Sequence, residues 1–240
     1  QDLVQHTQGL GIELIKITGD ASETNINSIA EDRSVILEAK FKNPVPEFVG
    51  TFGMPNLSKL KTIINLEVYR EDANLKINQQ QNSAGEMVPS GVHFENKDGD
   101  FKNDYRFMNT EIINEKLKTV KFRGVNWHVE VEPTVQAIQR FNFQAQANNE
   151  HTTFLAKTDN GNLKFVFGDQ ATHGGEFIFA AGVSGNLNKG WTWPVNPVLS
   201  ILKIADSNNT KISFSNEGAM QITLDSGLAT YKYIIPAQAA

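Results

Sequence analysis

Residues 57–63 read Leu-Ser-Lys-Leu-Lys-Thr-Ile and residues 199–205 read Leu-Ser-Ile-Leu-Lys-Ile-Ala, so one phrase recurs 142 positions later. In the first copy Leu57, Leu60 and Ile64 recur at helical spacing along one stripe, with Ser58, Lys61, Thr62 and Asn65 on the opposite face. In the second, Leu199, Leu202 and Ala205 form the stripe and Ser200, Lys203 and Asp206 face away. Pro55 and Pro197 stand near the two starts, where a missing backbone N–H leaves no helical bond unmade. Two short amphipathic helices are predicted, with Lys61 and Lys203 at equivalent places.

Most of the remaining sequence reads as strands. Ile12–Ile17, Val35–Phe41 and Leu163–Phe167 are rich in β-branched and aromatic residues with partial alternation, and Asp98-Gly99, Asn160-Gly161, Glu217-Gly218 and Ser226-Gly227 supply turns between strands. A second pair of helical segments rhymes, Val4–Gln8 against Val135–Gln139, the latter with Thr134 as N-cap. A strand match is read after each later helix, Asn74–Ile77 against Ala219–Ile222. The repeated order predicts a duplicated α+β unit, with halves at 1–107 and 127–240 and a connector at 108–126. That connector is read as an extended strip, polar but studded with apolar residues.

Composition narrows the function classes. The chain has 240 residues, 40% of them apolar, no cysteine and a net charge of −5. Disulfides and thiolate metal sites are thereby excluded, and the bulk charge is that of an acidic protein with any basic face confined to part of its surface. The longest apolar run, Phe177–Val183, is too short to span a bilayer, and no charged segment followed by an apolar one opens the chain. The expected location is the cytoplasm, that of a host cell if the protein is viral. The chain opens at Gln1 rather than a methionine, which leaves room for residues upstream.

With these pieces in order, the sequence resembles the DNA polymerase sliding clamps of the proliferating-cell-nuclear-antigen and T-even-phage type. Phe52–Lys61 is similar to a clamp's second inner helix and its approach, and Asn103–Phe107 to the last strand of the first domain. Gly175–Gly185 resembles the edge strand of the second domain, and Asp225–Ala237 the last hairpin and tail. The resemblance covers nearly the whole chain and rests on order and pattern. It implies two clamp domains per chain and a homotrimeric ring, with antiparallel sheets outside and short helices lining a central channel. It also implies a non-catalytic processivity factor, without cofactor or metal, that encircles duplex DNA regardless of sequence. A replicative polymerase and a clamp loader would dock through a short peptide motif.

Residue roles follow from the same resemblance. Lys61 and Lys203 would face DNA, joined by Lys59, Arg140, Gln136, Gln139 and Gln5. Long cationic and amide side chains that meet phosphates and no base edge suit a ring that slides. A partner-peptide pocket would involve Ile113, Leu117, Val120, Phe122, Ile234, Ile235 and Pro236. The subunit contact would pair the strand of Tyr105 and Phe107 with that of Phe177, Phe179 and Ala181 from a neighbouring chain. Against metal chemistry, His128, Glu130 and Glu132 alternate on a predicted strand and read as a solvated face, and His173-Gly174-Gly175 reads as a turn. The rival reading is a β-rich structural or carbohydrate-binding virion protein whose repeat is a simple duplication.

Overall fold

The computed structural model describes residues 1–7, 9–118, 122–169, 171, 173–205 and 207–239. The chain divides into two compact units, Gln1–Arg33 with Leu37–Lys121 and Gly227–Thr230, and Ser34–Ile36 with Phe122–Ser226 and Tyr231–Ala240. The first carries α1 (Asp2–Thr7), β1 (Leu14–Gly19), β2 (Thr24–Ile29), β3 (Ile36–Phe41), β4 (Gly50–Pro55), α2 (Leu57–Ile64), β5 (Asn74–Gln81), β6 (Met87–Glu95), β7 (Lys102–Arg106) and α3 (Thr110–Lys116). Its strands lie in the orders β4-β1-β2-β3 and β5-β6-β7.

The second carries β8 (Val129–Val131), α4 (Val135–Ala147), β9 (Thr153–Asp159), β10 (Asn162–Gly168), β11 (Gly174–Ala181), β12 (Trp191–Pro194), α5 (Val195–Ile204), β13 (Thr210–Ser215), β14 (Ala219–Asp225), β15 (Ala229–Pro236) and β16 (Gln238–Ala239). Here the orders are β11-β10-β9-β12-β16 and β15-β14-β13-β8.

The duplication is explicit in these orders. From α1 and from α4 the chain runs helix, four strands, helix, three strands, the second unit adding the two-residue β16, and the four strands occupy the same spatial sequence in both units. Register repeats too: Pro55 pairs with Leu14 and Pro194 with Thr153, each proline closing the strand before the second helix. The strand offset is 194 − 55 = 139, against 199 − 57 = 142 for the helical phrase. The difference is about one helical turn. It is added at the front of α5, where Val195 and Val198 are buried ahead of Leu199, whereas α2 opens directly on Leu57.

Three sequence expectations are corrected. Asn74–Ile77 opens β5, the first strand after α2, but the first strand after α5 is β13. Ala219–Ile222 opens β14, the counterpart of β6, so that rhyme is accidental. Short apolar runs recur in any sheet protein and carry no register alone. In α2 the third buried side chain is Ile63 rather than Ile64, because the helix faces its sheet with Leu57, Leu60 and Ile63.

The connector is helical over Thr110–Lys116 where an extended strip was expected. Asn109 caps this helix, its side chain accepting from Ile112 N–H at 3.0 Å. Ile113, fully buried, fills the space over Gly53, where even a Cβ would lie 2.7 Å from its Cδ1.

The cores follow strand alternation. Ile15, Ile17 and Phe52 are sealed in the first unit. In the second, Phe141 of α4 makes ring contacts with Phe154, Phe165, Phe167 and Phe177 from the sheet beneath it. Trp193 is buried beside Phe154 and Phe214, and Trp191 donates its indole N–H to Asn216 C=O at 2.8 Å. No helix among the described residues is long and apolar enough to cross a membrane.

Candidate functional site

In each unit two helices pack side by side, α1 with α2 and α4 with α5. Their solvent faces bring the predicted DNA-facing residues into two groups. In the first unit Gln5 and Lys59 are exposed and Lys61 is half-buried; in the second Gln136, Gln139, Arg140 and Lys203 are all exposed.

Local chemistry fixes these helices. The residue before α2, Asn56, is left-handed (φ 56°, ψ 52°) and offers no side-chain cap. Glu13 from the chain before β1 takes that role: its carboxylate accepts from Ser58 N–H at 3.1 Å and from the Ser58 hydroxyl. A carboxylate at a helix N-terminus also meets the positive end of the dipole. Lys61 and Lys203 sit in the last turns of α2 and α5, where a cation is favoured for the same reason. α4 starts on Thr134, whose hydroxyl accepts from Ala137 N–H at 3.0 Å.

The helical phrase differs at one place that matters. Its third residue is Lys59 in the first copy, exposed, and Ile201 in the second, fully buried. The basic surface is thus matched at Lys61 and Lys203 only. α4 runs 13 residues, twice the length of α1, and well past the predicted Val135–Gln139. Its second half exposes Phe143 (63%) beside a hollow of about 360 Å³ lined by Arg140, Phe143, Gln144, Ala147 and Phe177. The signal for this was present: Phe141 and Ala145 continue the helical spacing of Ala137 and Ile138 beyond Gln139.

The residues assigned to a subunit contact fall on open strands. β7 and β11 are each the outermost strand of their sheet within their own unit. Tyr105 and Phe179 are buried in their own cores, Phe107 and Phe177 are half-buried, and Ala181 is exposed. The Tyr105 hydroxyl donates to Pro55 C=O, and burial pushes its phenol pKa upward.

The residues assigned to a peptide pocket are less alike. Ile113 is buried in the first unit, and Ile234 and Ile235 in the second. Leu117 and Phe122 are half-buried, Pro236 is exposed, and Val120 lies outside the described residues. Phe122 stacks on Trp127 with ring centroids 6.1 Å apart. His128 accepts from Asn216 N–H through Nδ1 at 3.2 Å, and Glu130 pairs with Lys211 at 2.8 Å. The described residues contain no group of three or more His, Cys, Asp or Glu able to hold a metal ion.

Among solved structures the chain is similar to A. fulgidus PCNA with the C-terminal region of FEN-1 bound. The TM-score is 0.72 at 11% identity, over 99% of this chain and 94% of that one. PCNA from Thermococcus kodakaraensis gives a TM-score of 0.67 at 11% identity, over 98% of this chain and 94% of the other. The PCNA2–PCNA3 complex from Sulfolobus tokodaii gives 0.63 at 11% identity, over 99% and 96%. The fold is that of the PCNA sliding clamps. No family model matches the sequence, and no curated protein matches it. At such low identity the likeness is one of fold, and the α+β class and duplicated clamp domains expected from the sequence hold at that level. In the clamp fold the two helix pairs α1–α2 and α4–α5 are equivalent by the chain's own internal order.

Proposed function

We propose that this chain is a non-catalytic sliding clamp that encircles duplex DNA and tethers a replicative polymerase. The observation that carries the reading is the duplicated clamp fold, each copy presenting a polar helix pair with a lysine at the matched place, Lys61 and Lys203. Clamp domains at 1–107 and 127–240, joined by 108–126, are the units of the ring. Contacts from lysine, arginine and glutamine to phosphates carry affinity without sequence register, and the acidic remainder disfavours DNA elsewhere on the surface. The clamp fold leaves the structural or carbohydrate-binding reading without a supporting observation.

Ring closure is supported by the two open strands: β7 and β11 are each outermost in their sheet within their own unit. Pairing β7 of one chain with β11 of the next, head to tail, closes a homotrimer and covers two open edges.

A short peptide from a polymerase or loader is the proposed client, by analogy with the FEN-1 C-terminal region bound to A. fulgidus PCNA. The decisive test reverses Lys61 and Lys203 to glutamate. The expected result is an intact fold and oligomer with weaker retention on circular duplex DNA, the log–log salt slope dropping by about 0.9 for each phosphate no longer neutralised. Retention equal to wild type at all salt concentrations would remove these lysines from the DNA surface.

A further inference from the structure

The exposed faces of the two open strands differ in charge: β7 carries Lys102, Asp104 and Arg106, and β11 carries Glu176 alone. On β7, Lys102, Asp104 and Arg106 point outward and are exposed, while Tyr105 points into the core. On β11, Glu176 and Ile178 point outward, while Phe177 and Phe179 point inward. Lys164 of β10 lies directly beside Ile178 and bonds Glu176 at 3.5 Å and Asp159 at 2.8 Å. Read from the start of β11, its outer face therefore runs negative at Glu176 and uncharged at Ile178, with Lys164 one strand further in. Read backwards from its end, β7 runs positive at Arg106 and negative at Asp104.

The pairing of these strands is constrained by parity. Residues directly opposite in an antiparallel pair share a face, and a one-residue slip would turn Tyr105 outward, so register changes only in steps of two. Two registers of this parity pair all five β7 residues: one sets Tyr105 of one copy opposite Gly175 of the next and puts Asp104 against Glu176, and the other sets Tyr105 opposite Phe177. In the second there is no such clash. Arg106 then faces Glu176, and Asp104 faces Ile178 beside Lys164. A step of two in either direction leaves Arg106 diagonal to Glu176, still within reach of long side chains. Within its own chain Arg106 makes no salt bridge among the described residues.

We propose that Arg106 of one copy pairs with Glu176 of the next, and that this pair, together with the like-charge clash of Asp104 and Glu176 in the alternative register, selects the partner edge and its register. The occupant of the β11 edge is a second copy of this chain; the proposal rests on the ring reading and adds the residues that make closure specific. Charge pairs of this kind act on recognition more than on bulk affinity, because a wrong register sets like charges together. Both side chains lie outside the cores, so their reversal leaves each unit able to fold.

The test is a charge swap read by sedimentation over a concentration series, with melting temperature as the folding control. Arg106→Glu alone and Glu176→Arg alone are each expected to raise the concentration at half-assembly about tenfold or more, and the double variant to return it towards wild type. Rising salt should weaken wild-type assembly and have less effect on the single variants. A double variant no tighter than the singles, or singles that assemble as wild type does, would overturn the pair while leaving the ring in place. A wild-type chain that stays monomeric at every concentration would overturn both the pair and the ring.

Discussion

Gly53 shows how one residue sets the path of the chain as it leaves the first clamp domain. It sits in β4, exchanging backbone hydrogen bonds with Met108 at 2.9 and 2.7 Å. A side chain there would meet Ile113 Cδ1 at 2.7 Å and Met108 Cβ at 3.1 Å. Gly53→Ala is therefore expected to destabilise the protein by about 1–3 kcal/mol through overpacking. Pairing it with Ile113→Val, which removes the clashing methyl, should recover part of that stability. Denaturant unfolding of the single and double variants measures the coupling, and purely additive effects would mean that the clash is relieved elsewhere. The same burial explains why the sequence leaves Ile113 ambiguous: an isoleucine among charges reads as a partner anchor or as a core residue until its neighbour is known to be a glycine.

At the scale of the element, α3 and β15 change how a peptide site must be probed. Ile235 is fully buried in β15, so Ile235→Asp would place a carboxylate in a core and abolish partner binding through unfolding. The informative substitutions are at exposed or half-exposed positions. Ile112 of α3 is 44% exposed, Leu117 is half-buried, and Pro236 ends β15 in solvent. Ile112→Asp, Leu117→Ala and Pro236→Asp are expected to weaken a docking peptide about tenfold each if they line its site, with melting temperature near wild type. Titration of a fluorescent peptide from the client polymerase against each variant gives the answer, and unchanged affinity in all three would move the site elsewhere. Asn109, the cap of α3, gives a control that shifts the helix without touching its exposed face.

At the scale of the whole molecule the main expectation is assembly. In the proposed homotrimer three chains would supply six clamp domains, and each chain leaves β7 and β11 as outer strands in their units. Exposed Phe143 beside the hollow along β11 adds an apolar surface of the kind that protein contacts cover. Sedimentation equilibrium is expected to fit a monomer–trimer scheme, and Phe143→Asp to shift it towards monomer by about tenfold with little change in thermal stability. A monomer–dimer fit would contradict the three-chain ring, since two chains supply only four clamp domains.

The sequence by itself determined the repeat, the strand-rich character and the four helical segments. These depend on local periodicity and caps, which Leu57, Leu60, Lys61 and Thr134 display without reference to any distant residue. It also placed Lys61 and Lys203 on solvent faces, because amphipathic spacing assigns a face as soon as a helix is assigned. What only the tertiary structure decided were matters of what lies opposite. The fate of Ile113 turned on Gly53, and the cap of α2 on Glu13, 45 residues away from Ser58. That Ala219–Ile222 belongs to the second strand after its helix turned on strand order, which no four-residue pattern encodes. The charges of β7 and β11 became meaningful when both strands proved to be outermost in their sheets, for exposure of an edge is a property of what is absent beside it.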